Sequence, residues 1–114
     1  MKLRRGHLYV VDFNPGVRTK PGKLRPAIVV QDDVLNDAGY PSTIVLPTTT
    51  RLADTTTPLR LRLAAGIAGL DRDSDVLVAQ VIAVANESFR KELGVLPAEL
   101  LETLEQKLRT VMGL

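Results

Sequence analysis

Only one stretch of this chain, PAELLETLEQKLRTVMGL at residues 97–114, has the length and apolar spacing of a long helix. Pro97 suits the first helical position, Glu99 and Glu102 sit at the positive end of the helix dipole, and Lys107 and Arg109 at the negative end. Leu101, Leu104, Leu108 and Val111 fall on one stripe, and Gly113 is placed to stop the helix. Everything before it is cut into short β-rich runs by proline and glycine. Strands are predicted at 7–13 (HLYVVDF), 26–31 (PAIVVQ) and 43–47 (TIVLP, ended by Pro47). LRLRL at 59–63 alternates, with Leu59, Leu61 and Leu63 toward the core and Arg60 and Arg62 toward water. VLVAQVIAV at 76–84 is apolar on both faces except at Gln80, as a central buried strand would be. SFRKELGVL reads as a connector with room for one more strand. DDVLND at 32–37 makes a helical turn capped by Asp32 or Asp33. With no helices spacing the strands, a doubly wound sheet is excluded. An α+β, mainly β fold follows: a small, strongly curved antiparallel sheet or barrel with a packed C-terminal helix, in one domain over residues 1–114.

Several chemistries are closed to such a chain. It has no Cys, so disulfides, thiolate metal sites and a Cys nucleophile are out, and a reducing compartment fits. One His leaves zinc catalysis without a ligand set and leaves only His7 for a Ser-His-Asp triad. DRDSD at 71–75 has the opening spacing of a calcium loop, but the sixth and twelfth positions are Val76 and Ile82 where Gly and Glu are needed. No metal and no cofactor is expected. MKLRRGHLYV turns charged at once and no apolar run approaches the roughly 18 residues of a membrane span, so the expectation is a cytoplasmic protein without a membrane partner.

The charge is uneven. Residues 1–25 carry seven basic residues against Asp12 alone, or +6, and the remainder eight basic against twelve acidic, or −4. That split suits a polyanionic partner for the first quarter, and equally a basic edge cross-paired with the acidic rest. Within the first quarter, NPGVRTKPGKL (14–24) is a long loop with three cations, and it delivers Arg25 onto the Arg-Pro step that opens a strand. Proline stiffens that start and pushes the preceding residue to extended geometry, so Arg25 is held on defined backbone. Thr48, Thr49 and Thr50 follow Pro47 at another strand's end. A guanidinium fork and hydroxyl donors suit phosphate chemistry on RNA, which carries its own 2′-hydroxyl nucleophile. A turn with side-chain-to-backbone hydrogen bonds explains the threonines as well.

In order and spacing, RGHLYVVDFNP (5–15), LRPAIVVQDDVLN (24–36), TIVLPTTT (43–50), GLDRDSDVLVAQVIAV (69–84) and LPAELLETLEQKL (96–108) resemble the MazF/PemK family of toxin endoribonucleases. The resemblance implies an SH3-like β-barrel with short helices, a homodimer, and metal-independent, sequence-selective cleavage of single-stranded RNA. It also implies inhibition by an antitoxin with an acidic, disordered segment. It assigns catalysis to Arg25 and to Thr49, two residues past Pro47, with Thr48 as the alternative if the register slips. It places Gln80 at the RNA groove; the loop residues Arg18, Thr19, Lys20 and Lys23, from the charge of their segment, and Thr48 are expected among the RNA contacts. Two positions depart from the family pattern: Thr19-Lys20 stands where many relatives have Ser-Glu, and Ala79 where some have a carboxylate before the glutamine. Neither segment therefore offers a general base, and a non-catalytic toxin of the gyrase-poisoning type or an RNA-binding module is the alternative reading.

Overall fold

A computed structural model describes residues 1–13, 23–54 and 59–114. Its strands are β1 (His7–Asp12), β2 (Leu24–Val29), β3 (Ser42–Thr49), β4 (Arg60–Leu63), β5 (Ser74–Leu77), β6 (Ile82–Ala85) and β7 (Phe89–Val95), with helices α1 (Asp33–Asp37) and α2 (Ala98–Met112). All the pairings are antiparallel, in the order β4-β5-β3-β2-β1-β7, with β6 also on β3. No ladder joins β4 to β7 among the described residues, so the sheet is not closed as a barrel requires.

Side chains of successive residues go to opposite faces, and both faces of the middle strands are buried. Leu8, Ile28, Leu46, Leu63 and Val76 form the core of one face, covered by α2 through Leu104, which is fully buried, and by Leu100, Leu101, Leu108 and Val111. Truncating a leucine so enclosed costs about 2–5 kcal/mol. Tyr9, Val11, Ala27, Val29, Val45, Val84 and Phe89 form the core of the other face. There the Tyr9 hydroxyl accepts from the Arg4 amide at 2.9 Å and donates to the Lys2 carbonyl at 3.1 Å, pinning the N-terminal segment to the sheet. Burial, outweighing the Arg4 hydrogen bond, pushes this phenol up to about 12.

The predicted helix is present. Pro97 is its N-cap rather than its first turn, and Gly113 closes it at φ 72°. Asp32 caps α1 through the Val34 amide at 2.8 Å. β7 turns the supposed connector into the second partner of β1. The turn Ile67–Gly69 is pressed onto β7: a Cβ on Gly69, whose φ is 77°, would lie 2.1 Å from the Leu93 carbonyl oxygen.

Pro47 does not end its strand. The Ile44 carbonyl accepts from the Val30 amide, the residue just past β2, so by alternation the main chain of Pro47 faces the other neighbour. That neighbour is β5–β6, which pairs Val76 with Thr48 and Ile82 with Val45. Residues 77–81 therefore lie opposite only Leu46 and Pro47. A proline has no N–H to offer a ladder, and the partner chain leaves the sheet where none is offered. The run 76–84 is thus two strands along one edge, not a continuous buried one. Its hinge turns on the Gln80 amide donating to the Leu77 carbonyl at 3.1 Å, and Ala79, Gln80, Val81 and Ile82 are exposed. Leu59 is also exposed, against the alternation that placed it in the core.

Candidate functional site

The β2–β3 register pairs Ala27 with Pro47. Carried two residues further, it brings Arg25 opposite Thr49. Arg25 shares a face with Ala27 and Val29, and Thr49 with Pro47 and Val45. The sheet thus aims one guanidinium and one hydroxyl to the same side, from adjacent strands, where both strands run out.

Two hollows meet at Arg25. The larger, about 390 Å³, is walled by Phe13, Lys23, Pro47, Gln80, Val81 and Ile82. The smaller, about 210 Å³, is walled by Leu24, Pro26, Ser74 and all three of Thr48, Thr49 and Thr50. The threonines are not equivalent. Thr48 is 1% exposed and donates its hydroxyl to the Pro26 carbonyl at 2.8 Å, beside the main-chain nitrogen that proline leaves without a proton. Thr49 is half-buried, and its oxygen accepts from the Arg51 amide at 3.1 Å, which leaves its proton to be donated outward.

Arg25 is half-buried and makes no ion pair, nor does Lys23. Every Asp and Glu of the chain lies among the described residues, so this is a property of the whole carboxylate set. By contrast, Arg4 reaches Asp33 and Asp37 at 3.0 and 2.6 Å and Arg5 reaches Glu105 at 3.3 Å. The basic first quarter is therefore split: its N-terminal arginines are neutralised by acids from the rest of the chain, and the pair at the start of β2 is not. Asp33 takes part in that neutralisation. Burial alone would raise its carboxyl, but the Arg5 amide, Asn36 and Arg4 hold it below the usual carboxylate range.

Gln80, expected inside a strand, instead sits on the turn between β5 and β6 and presents its amide to the larger hollow. Arg18, Thr19 and Lys20 lie outside the described residues. His7 does not line either hollow; it bonds Glu92 at 2.8 Å across the β1–β7 ladder. No group of three His, Cys, Asp or Glu among the described residues is arranged to hold a metal. Phe13, Val81 and Ile82, which give the larger hollow its apolar walls, were not singled out from the sequence. Their role depends on the chain leaving the sheet opposite Pro47, a cross-strand event that no local pattern carries.

A sequence comparison matches residues 4–112 to the family described as PemK-like, MazF-like toxin of type II toxin–antitoxin systems. Endoribonuclease EndoA of Bacillus subtilis is 26% identical over the full chain and 97% of its own length. Endoribonuclease MazF6 of Mycobacterium tuberculosis is 29% identical over the whole of both chains. Among solved structures, the MazE–MazF crystal structure (Form II) from Deinococcus radiodurans superposes with a TM-score of 0.81 at 25% identity, covering 100% of this chain and 98% of that one.

Proposed function

This chain belongs to the PemK-like, MazF-like toxins of type II toxin–antitoxin systems, and from that membership we propose that it is an endoribonuclease cutting single-stranded RNA at selected sequences without a metal ion. The observation that carries the reading is the unpaired Arg25 guanidinium sharing an open hollow with Thr49. The RNA 2′-oxygen attacks the neighbouring phosphorus, the P–O5′ bond breaks, and the products are a 2′,3′-cyclic phosphate and a 5′-hydroxyl end. Charge grows on the equatorial oxygens as the phosphorane forms. The Arg25 fork and the Thr49 hydroxyl are the donors that meet that charge. Lys23, with Arg18, Thr19 and Lys20 a few residues before it in sequence, tracks the flanking phosphates. Gln80 offers both donor and acceptor to a base edge over apolar walls, and Thr48 shapes the smaller hollow. The chain acts as a single toxin domain over residues 1–114, in the cytoplasm, as a homodimer whose basic groove also takes the acidic segment of an antitoxin. Its curled sheet is read as an SH3-like barrel left open between β4 and β7.

A second reading, a non-catalytic toxin of the gyrase-poisoning kind or an RNA-binding module, is favoured by one observation: none of the described residues lining either hollow is a carboxylate or histidine that could take a proton. The two readings part when purified protein is incubated with a long RNA in EDTA. Cleavage giving 5′-hydroxyl ends supports the first. Binding without cleavage, with or without magnesium, supports the second.

A further inference from the structure

Asp75 is the most deeply buried carboxylate of the chain, 1% exposed, and lies directly opposite Thr49 in the β3–β5 ladder. It accepts three hydrogen bonds: from Arg62 Nε at 2.5 Å, from the Ala53 amide at 2.9 Å and from an Arg60 terminal nitrogen at 3.2 Å. The two arginines do not stop there. Arg60 also donates to the Arg51 carbonyl at 2.8 Å, and Arg62 to the Ala53 carbonyl at 2.7 Å. Three of these hydrogen bonds fasten the segment 51–53 to the β4–β5 hairpin, and the other two hold both arginines of that hairpin to its one acid. The same segment supplies the Arg51 amide that bonds the Thr49 oxygen.

We propose that Asp75, Arg60 and Arg62 form a bracket that positions the Thr49 hydroxyl for the reaction. They act through residues 51–53 and without touching RNA. The inference rests on the assignment of Thr49 to the reacting phosphate. Its physical basis is the directionality of a hydroxyl rotor. The C–O bond of Thr49 can turn, and the Arg51 amide fixes which lone pair is occupied and hence where the proton points. An amide on an unbraced strand end would wander, and misplacement of about 1 Å at a reacting group is enough to cost orders of magnitude in rate. A carboxylate facing both guanidiniums gives the bracket rigidity because each partner is held at two points, and removing one releases the others.

A double-mutant cycle on Arg60 and Thr49 tests it, with single-turnover cleavage of a short RNA and separate affinity for the same RNA carrying a 2′-deoxy residue at the cut site. Arg60→Gln should slow cleavage on the order of tenfold while affinity for the uncleavable RNA stays within twofold. In the Thr49→Val background the same change should have no further effect on rate, because the group it positions is gone. Asp75→Asn, which keeps an oxygen for the Ala53 amide and loses the charge, should behave like Arg60→Gln. If Thr49→Val slows cleavage and Arg60→Gln does not, the bracket is structural only and the inference fails while the site assignment stands. If Arg60→Gln weakens RNA affinity, or slows cleavage equally in both backgrounds, Arg60 acts on RNA directly and the inference again fails. If Thr49→Val leaves the rate unchanged, the site assignment itself falls and the positioning role falls with it.

Discussion

Arg25 and the pair Arg60–Arg62 flank the last residues of β3 from opposite sides, and the fold treats them in opposite ways. On the β5 side a buried carboxylate pairs with both guanidiniums, and each arginine also donates to a main-chain carbonyl. On the β2 side one guanidinium faces an open hollow and no acid answers it. A half-buried charge without a partner loses part of its hydration and gains nothing within the chain, which is what a site kept for an anionic ligand requires. A charge paired within the chain holds other parts of the chain in place. The same residue type thus reports two kinds of site, and what distinguishes them is the partner rather than the exposure.

The sharpest way to break this comparison is kinetic. Arg25→Ala should lower the single-turnover cleavage rate about 10²–10³-fold, roughly 2.7–4 kcal/mol of transition-state stabilisation, with little change in melting temperature. Arg25→Lys keeps the charge without the fork and should recover little of the rate. A large loss of stability with normal cleavage would invert the roles assigned to the two sides. The next effect belongs to the other side. Asp75→Ala should cost about 1–3 kcal/mol in a urea melt, because the half-buried Ala53 amide loses its acceptor while the two half-exposed guanidiniums can turn to water. Arg25→Ala in the same assay should lie within about 0.5 kcal/mol of wild type.

Acid melts sharpen the same contrast. Burial would raise the Asp75 carboxyl, but Arg62, the Ala53 amide and Arg60 outweigh it and hold it below its ordinary value. A carboxylate depressed by folding contributes stability that is complete above its unfolded pKa, about 3.9, and lost as pH falls through the lower folded value. Wild type should therefore lose stability more steeply than Asp75→Asn below about pH 4. Parallel acid curves would remove Asp75 from the list of linked groups. The smallest effect is on salt. Lys23→Gln should reduce the slope of log affinity for single-stranded RNA against log salt by about 0.7, with the melt unchanged. An unchanged slope would place Lys23 away from the phosphates.

What was legible in the sequence follows the range of the interaction that made it. The C-terminal helix, the Asp32 cap, the first three strands and the Arg25-Pro26 step are local patterns, and the structure contains each of them. What local patterns do not carry is a partner distant in the chain. Arg60 and Arg62 alternate like water-facing residues, and nothing within 59–63 reveals that Asp75 will lie beside them. The run 76–84 has the composition of one buried strand. It breaks because of a proline some thirty residues earlier on the strand it pairs with, and the break moves Gln80 from an interior into a rim. In the candidate site, Thr48 and Thr49 are indistinguishable as letters. The register against Pro26 separates them, one hydroxyl turned inward to a carbonyl and one left to point out.

The departure opposite Pro47 has a consequence for descent. Residues 79–81 are exposed and clamped on both sides, by Val78, which is buried and donates to the Leu59 carbonyl, and by Ile82, which pairs with Val45, and they answer to no ladder themselves. Lengthening, shortening or rewriting that turn leaves Arg25 and Thr49 in register. If Arg25 and Thr49 cut RNA, a lineage can exchange Gln80 and Val81, which face the larger hollow from that turn, in single small steps that leave the pair in place, and new target preferences become accessible without passing through an inactive ancestor.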